Sequence, residues 1–315
     1  MIISASRRTD IPTYYSDWFC NRIQEGYVLV RNPMNIHQVS KINLSPDVVD
    51  GIVFWTKNPI PMMNKLDEIK EYPYYFQFTL NAYGKDVEPN VPSKNEIIIP
   101  AFQKLSRKIG KNRVVWRYDP IFFNETYTLE YHGKYFEVLA DKLHSFTEKC
   151  TVSFIDTYRN TERNAKSLNI ISASIDQKLE LMEKFSVIAS RYGLLIDTCA
   201  EGIELDKFSI THAHCIDKER LESIGGYSLN VDKDKNQRLE CGCIASIDIG
   251  MYNTCKNGCL YCYANYSPKT VQNNFGKHKV DSPLTCGELA EDDSVKERLV
   301  TSCRNCQINL FSDTV

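Results

Sequence analysis

No apolar run in the sequence approaches the roughly 18 residues of a membrane span, no basic start followed by an apolar stretch opens it, and no charge of one sign dominates. With 38 Lys and Arg against 40 Asp and Glu, the formal net charge is −2 over 315 residues. Such a balance disfavours a general nucleic-acid coat, which carries a strongly basic domain, and leaves a nucleic-acid partner as a lesser alternative confined to a local basic cleft. The Arg7-Arg8 pair precedes Thr-Asp-Ile-Pro instead of an apolar segment, so it is a poor twin-arginine export signal. Internal repeats and low-complexity tracts are also missing. Together these absences predict a cytoplasmic protein with no membrane partner. A composition of 43% hydrophobic and 25% charged residues argues for an ordinary globular core.

Cysteine is what the chain has in excess. Of 12, Cys20, Cys150, Cys199 and Cys215 are scattered upstream, whereas Cys241, Cys243, Cys255, Cys259, Cys262, Cys286, Cys303 and Cys306 crowd the C-terminal quarter. In a reducing compartment, clustered thiols bind metal more often than they pair.

Short β-rich runs at 2–6, 51–55, 75–79, 113–117, 151–155, 194–198 and 245–249 alternate with helical patterns at 16–24, 61–72, 98–109, 131–146 and 175–192, the rhythm of βα units. In the last helix Ile175, Leu179, Met182, Phe185, Ile188 and Ala189 recur at helical spacing before Gly193. A β-ribbon is expected at 27–44 and a charged linker at 231–239. This alternation predicts a variant or permuted (β/α) TIM-like barrel, with an open doubly wound sheet as the alternative. Residues 1–230 would form the barrel body. Residues 231–315 would form a cysteine-rich, iron–sulfur region that completes or caps it.

Nearly every predicted strand ends in polar residues, and in parallel α/β folds those ends carry the active site. Arg7, Arg8, Asp10, Lys57, Arg117, Asp119 and Glu201 are therefore the candidate catalytic residues, with Asp156 at the end of a further strand. Guanidinium groups at such a rim suit an anionic substrate, although the acids could equally pair with the bases as structural bridges.

The sharpest motif is Cys255-Lys256-Asn257-Gly258-Cys259-Leu260-Tyr261-Cys262, directly after the predicted strand 245–249. Gly258 can relax the turn, and three closely spaced thiolates can hold three irons of a [4Fe–4S] cube while leaving the fourth open. This loop resembles the signature of radical S-adenosylmethionine (radical SAM) enzymes, Cys-x3-Cys-x2-Cys with an aromatic residue before the third cysteine, here Tyr261. The resemblance implies a cluster on Cys255, Cys259 and Cys262 with S-adenosylmethionine on its open iron. It places Tyr261 near the adenine and makes Asp248 and Asn253, at the loop's flank, further cofactor-binding candidates. It also implies a low-potential electron donor of flavodoxin or ferredoxin type, and hydrogen abstraction from a small-molecule or nucleotide-like substrate. Radical SAM enzymes place this loop after the first strand, with the barrel downstream. Here it follows the last strand, which demands a permuted core, and no Gly-Gly-Glu succeeds it: the sole Gly-Gly, at 225–226, precedes Tyr227. More broadly, Ser-Arg-Arg-Thr-Asp, Phe-Trp-Thr-Lys-Asn-Pro, Trp-Arg-Tyr-Asp-Pro, Ser-Phe-Ile-Asp, Thr-Cys-Ala-Glu and Cys-Gly-Cys make nearly the whole chain similar to the bacterial family known as domain of unknown function 1848.

Cys199, Cys215, Cys241 and Cys243 form a second candidate metal set, for a second [4Fe–4S] cluster or one tetrahedral Zn²⁺, with His212 and His214 as alternative ligands. Cys20 and Cys150 read as core residues, and Cys286, Cys303 and Cys306 as packing or chance chelation. The leading expectation is an iron–sulfur enzyme of radical SAM type. Its rivals are a zinc- or cluster-stabilised barrel hydrolase and a nucleic-acid-modifying or repair protein.

Overall fold

Apolar strands without polar alternation need cover on both faces, and the chain supplies it. The computed structural model describes residues 1–156, 159–238 and 240–305. Its strands are β1 (Ile2–Ala5), β2 (Tyr27–Asn32), β3 (Asn35–Asn43), β4 (Gly51–Thr56), β5 (Tyr74–Thr79), β6 (Val114–Ile121), β7 (Lys149–Phe154), β8 (Leu195–Thr198), β9 (Thr211–His212), β10 (Ile247–Asp248) and β11 (Ser294–Glu297). Between them run α1 (Ile11–Tyr14), α2 (Ser16–Glu25), α3 (Ile60–Met63), α4 (Ile99–Ile109), α5 (Leu129–Leu143), α6 (Arg159–Asn164), α7 (Ile175–Arg191), α8 (Lys218–Gly225) and α9 (Pro268–Gly276).

Eight of these strands form one parallel sheet in the order β10-β1-β4-β5-β6-β7-β8-β9, and the β2–β3 ribbon makes a small second sheet with β11. The expected α/β architecture is present as this eight-stranded sheet. A closed barrel is not: among the described residues β9 and β10 remain the two edges, and no strand pairing joins them. The last strand of the large sheet in sequence lies beside the first, with Ile3 opposite Ile247 and Ser4 opposite Asp248.

One face of the sheet carries Phe54, Phe76, Phe78 and Trp116 and packs against helices. There the Phe136 ring of α5 stacks on Trp116 of β6 at 5.0 Å and on Phe185 of α7 at 3.9 Å, tying one strand to two helices. The other face carries Ile2, Val53, Tyr75 and Val115, covered by Cys215, Ile216, Leu221, Cys241, Cys243 and Ile244. Cys20, Cys150 and Cys286 are buried in the helix-side core, and Cys303 packs half-buried against the other cluster. Cys306 lies outside the described residues.

Two elements differ from expectation. The helix expected at 61–72 is short α3 followed by a 3₁₀ turn at Leu66–Ile69, yet Met62, Met63, Leu66, Ile69 and Tyr72 are all buried. The spacing reported burial, and a continuous hydrogen-bond ladder was not needed to achieve it. The run at 245–249 narrows to the two residues of β10. Among the described residues no helix is long and apolar enough to cross a membrane.

Phe136→Ala removes a ring from the centre of the aromatic stack. It is expected to destabilise the fold by about 3–5 kcal/mol, read as a lower urea midpoint at unchanged slope.

Candidate functional site

Parallel strands send their C-terminal ends to one side, so the loops leaving them share a space. Here they enclose a cavity of about 1040 Å³. Arg7, Arg8 and Asp10 reach it from the loop after β1, Lys57 from the end of β4, Arg117 and Asp119 from β6, and Asp248 from β10. Tyr261 and all seven cysteines of the two candidate sets, Cys255, Cys259, Cys262, Cys199, Cys215, Cys241 and Cys243, line the same walls. Glu201 and Asn253 lie off them. Glu201 accepts the Phe154 N–H at 2.7 Å, finishing β7. Asn253 has a left-handed backbone with φ of 56°, accepts the Tyr266 N–H and donates its own N–H to Ala264 at 3.0 Å, closing the base of the cysteine loop.

The cysteine loop is fastened from three sides. Thr254 accepts a hydrogen bond from the Tyr15 hydroxyl at 2.7 Å, and the Asn257 side chain accepts one from Tyr14 at 2.9 Å. From the segment after β5, the Val87 carbonyl takes the Leu260 N–H and the Asn90 amide donates to Lys256 at 2.8 Å. Asn164 of α6 donates to the Cys262 carbonyl at 2.7 Å. Asp10 is shared between these parts. Its buried carboxylate caps α1 through Thr13 N–H and accepts Lys57 N–H at 2.8 Å and the Asn257 amide at 3.1 Å, binding the β1, β4 and cysteine loops together. Asp248 accepts from the Ser4 and Ser6 hydroxyls and from the N–H of Arg7 and Gly250, at 2.7 to 3.0 Å. It serves the frame beside the cavity more than it offers a free ligand atom.

Behind Tyr261 stands Glu88, a residue no sequence pattern marked. It is 1% exposed, accepts the Tyr261 hydroxyl and the Lys57 ammonium at 2.7 Å, and forms an ion pair with the Lys94 ammonium at 2.5 Å. Burial opposes its charge, but the two lysines outweigh burial and hold the carboxyl near 2. Lys57 is thereby committed to the loop's support, with its ammonium 5.4 Å from the Tyr261 ring.

The second thiol set fills the seam between the sheet edges. Cys199 follows β8, Cys215 follows β9, and Cys241 and Cys243 precede β10. The Cys199 and Cys215 sulfurs are 3.1 Å apart. Arg117 is buried and spends its guanidinium on Asp119, on Gln77 at 3.4 Å and on the Cys215 sulfur at 2.9 Å. Hydrogen bonds from Cys199 and Cys243, aided by the Arg117 charge, hold the Cys215 thiol well below its ordinary value against burial. His212 and His214 are exposed and do not line the cavity. The expected rim of free cations is thus only partly one. Lys57 and Arg117 are engaged, whereas Arg8 stacks over Tyr252 and Arg7 over Trp55, with Arg7 Nη2 buried and without a hydrogen-bond partner.

The sequence profile described as "Domain of unknown function (DUF1848)" matches residues 2–264, most of the chain. The chain belongs to this family. No curated protein matches it significantly. Among solved structures it is similar to one described as a "putative alpha-L-fucosidase" from Bacteroides thetaiotaomicron, at 10% identity over 56% of this chain and 84% of that one, with a TM-score of 0.27. A likeness at that level bears on neither fold nor activity.

In this DUF1848 protein, burial pushes the Cys255, Cys259 and Cys262 thiols up, Cys259 to about 12, and negative charge on neighbouring thiols pushes Cys255 and Cys259 further. Such a set keeps its protons at neutral pH until a cation compensates the thiolates, which is the donor chemistry an iron–sulfur cluster requires.

Glu88→Gln leaves Lys57 and Lys94 buried without their carboxylate and should cost about 3–5 kcal/mol at pH 7. Because the folded value lies below the ordinary 4.5, Glu88 contributes fully above about pH 4.5 and loses its contribution as pH falls toward 2. Urea unfolding of the pair at pH 7 and pH 3 should show the wild-type advantage shrinking on the acid side.

Proposed function

We propose that this DUF1848 protein is an iron–sulfur enzyme of radical SAM type, with a [4Fe–4S] cluster on Cys255, Cys259 and Cys262 and an anionic or nucleotide-like small molecule as substrate. The observation that carries the reading is the placement of the loop: three thiols follow the edge strand β10 and face a cavity at the C-terminal ends of a parallel sheet. When bound, the cluster supplies the electron that splits S-adenosylmethionine into methionine and a 5′-deoxyadenosyl radical, which takes a hydrogen atom from substrate. The electron would come from a low-potential donor of flavodoxin or ferredoxin type.

The chain's own residues have definable tasks in this reading. Glu88 and Lys57 fix Tyr261, whose ring forms part of the wall beside the thiols. Asp10 and Asn257 set the loop's height over the cavity. Arg7 and Thr9 offer the means to hold an anion: both line the cavity, and Arg7 Nη2 and Thr9 Oγ1 are buried polar atoms lacking partners. A carboxylate or phosphate oxygen accepting from both would satisfy them, and a guanidinium that cannot deprotonate keeps its charge there.

The test is anaerobic, on protein reconstituted with iron and sulfide and reduced with dithionite. Wild type should release 5′-deoxyadenosine and methionine from S-adenosylmethionine in equal amounts, measured by mass spectrometry, and Cys259→Ala should release neither. An intact cluster in wild type that cleaves no S-adenosylmethionine ends the reading.

A further inference from the structure

Two facts about the fold meet at one place. Among the described residues the parallel sheet ends in β9 and β10, edges with no strand partner between them, and the segments that adjoin those edges carry Cys199, Cys215, Cys241 and Cys243. All four are free thiols, and each lines the cavity. Cys199 and Cys215 lie 3.1 Å apart, and Cys215, Cys241 and Cys243 share one buried cluster against which Cys199 packs. Backbone geometry holds them there. Tyr75 and Gln77 of β5 donate to the Cys215 carbonyl at 2.6 and 2.8 Å, and Ile216 N–H points to the Cys243 sulfur at 3.3 Å.

The surroundings are cationic. Arg117 Nη1 sits 2.9 Å from the Cys215 sulfur, and the Arg7 guanidinium is close enough to Cys215, Cys241 and Cys243 to feel their charge. Arg7 Nη2 is also one of the buried polar atoms with no partner. Buried guanidinium groups need compensating negative charge, which thiolates among these four cysteines can supply. A dicationic cube wrapped by four thiolates leaves two negative charges beside Arg7 and the Asp119-paired Arg117, and its sulfides and thiolates accept N–H donors.

We propose that Cys199, Cys215, Cys241 and Cys243 bind a second [4Fe–4S] cluster, which clamps the unpaired edges of the sheet across the seam. One tetrahedral zinc ion is the rival occupant. With Zn–S near 2.3 Å, tetrahedral zinc draws every pair of its sulfurs to about 3.8 Å. Among the described residues no three of these thiols lie within 4.8 Å of one another, so the set as it stands does not close around one ion. The exposed His212 and His214 add no ligand from the cavity side.

This inference goes beyond the proposed chemistry and does not depend on the Cys255 loop, so the experiment separates them. Full-length wild type, the Cys255→Ala/Cys259→Ala/Cys262→Ala triple variant and the Cys241→Ala/Cys243→Ala double variant are reconstituted anaerobically, assayed for iron, sulfide and zinc, and followed by Mössbauer spectroscopy. The triple variant should retain about four irons and four sulfides per chain with a cubane signature, against about eight of each in wild type. The double variant should lose about four irons and unfold at lower denaturant. Should it fail to fold at all, the triple variant decides alone, since its second set is untouched. A triple variant without iron, one carrying about one zinc per chain, or a Cys199–Cys215 disulfide found by alkylation and mass spectrometry of anaerobic protein overturns the proposal.

Discussion

The Asp248 carboxylate receives hydroxyls from Ser4 and Ser6 and backbone N–H groups from Arg7 and Gly250, with Arg8 3.9 Å away. Much else in the molecule depends on that convergence. β10 is two residues long, and so short a ladder cannot hold a strand to a sheet edge by itself. Hydrogen bonds to a charged acceptor contribute about 1.5–3 kcal/mol each, so four on one carboxylate exceed what the short ladder supplies. Gly250 makes the approach possible: a Cβ there would stand 2.0 Å from the Ser6 hydroxyl. Because β10 leads directly into the cysteine loop, whatever fixes Asp248 also fixes the direction in which the thiols leave the sheet.

Asp10 and Glu88 extend this control outward. Asp10 receives the loops after β1 and β4 together with Asn257, and Glu88 receives Lys57, Lys94 and Tyr261. Each is a buried acid with several donors, the condition under which a buried carboxylate supports a fold instead of straining it. The thiol loop has no regular secondary structure, and its precision comes from three acids on three different segments.

The parts legible from the chain alone were those encoded by local spacing. Strand runs alternating with helical patterns identified the βα rhythm, the cysteine spacing identified the loop, and the polar residues after each strand identified most of the cavity wall. Glu88 was invisible because Asp-Val-Glu-Pro-Asn has no periodicity and no motif, and its partners come from segments distant in sequence. Lys57 and Arg117 looked like a free basic rim for the same reason, since their charges are consumed by Glu88, Asp119 and Cys215, which only the fold brings within reach. The open seam was equally hidden. Counting βα units suggests a ring, but closure needs strands long enough to pair, and β9 and β10 have two residues each.

Charge is where these observations join. A protein whose total is near neutral nevertheless places Arg7, Lys57 and Arg117 on the walls of one cavity and Lys94 behind them on Glu88, and all four are at least partly buried. Glu88 and Asp119 answer three of them directly, while Asp248 is already saturated by hydroxyl and backbone donors. Buried cations without enough carboxylates call for other anions, and the seven sulfurs on the same walls are the groups able to become anionic. A cysteine side chain can provide that charge without bringing a permanently ionised group through folding. It enters the core as a small neutral hydrophobe and becomes a thiolate when a metal displaces its proton. The arginines and lysines on the same walls lower the cost of each thiolate in turn.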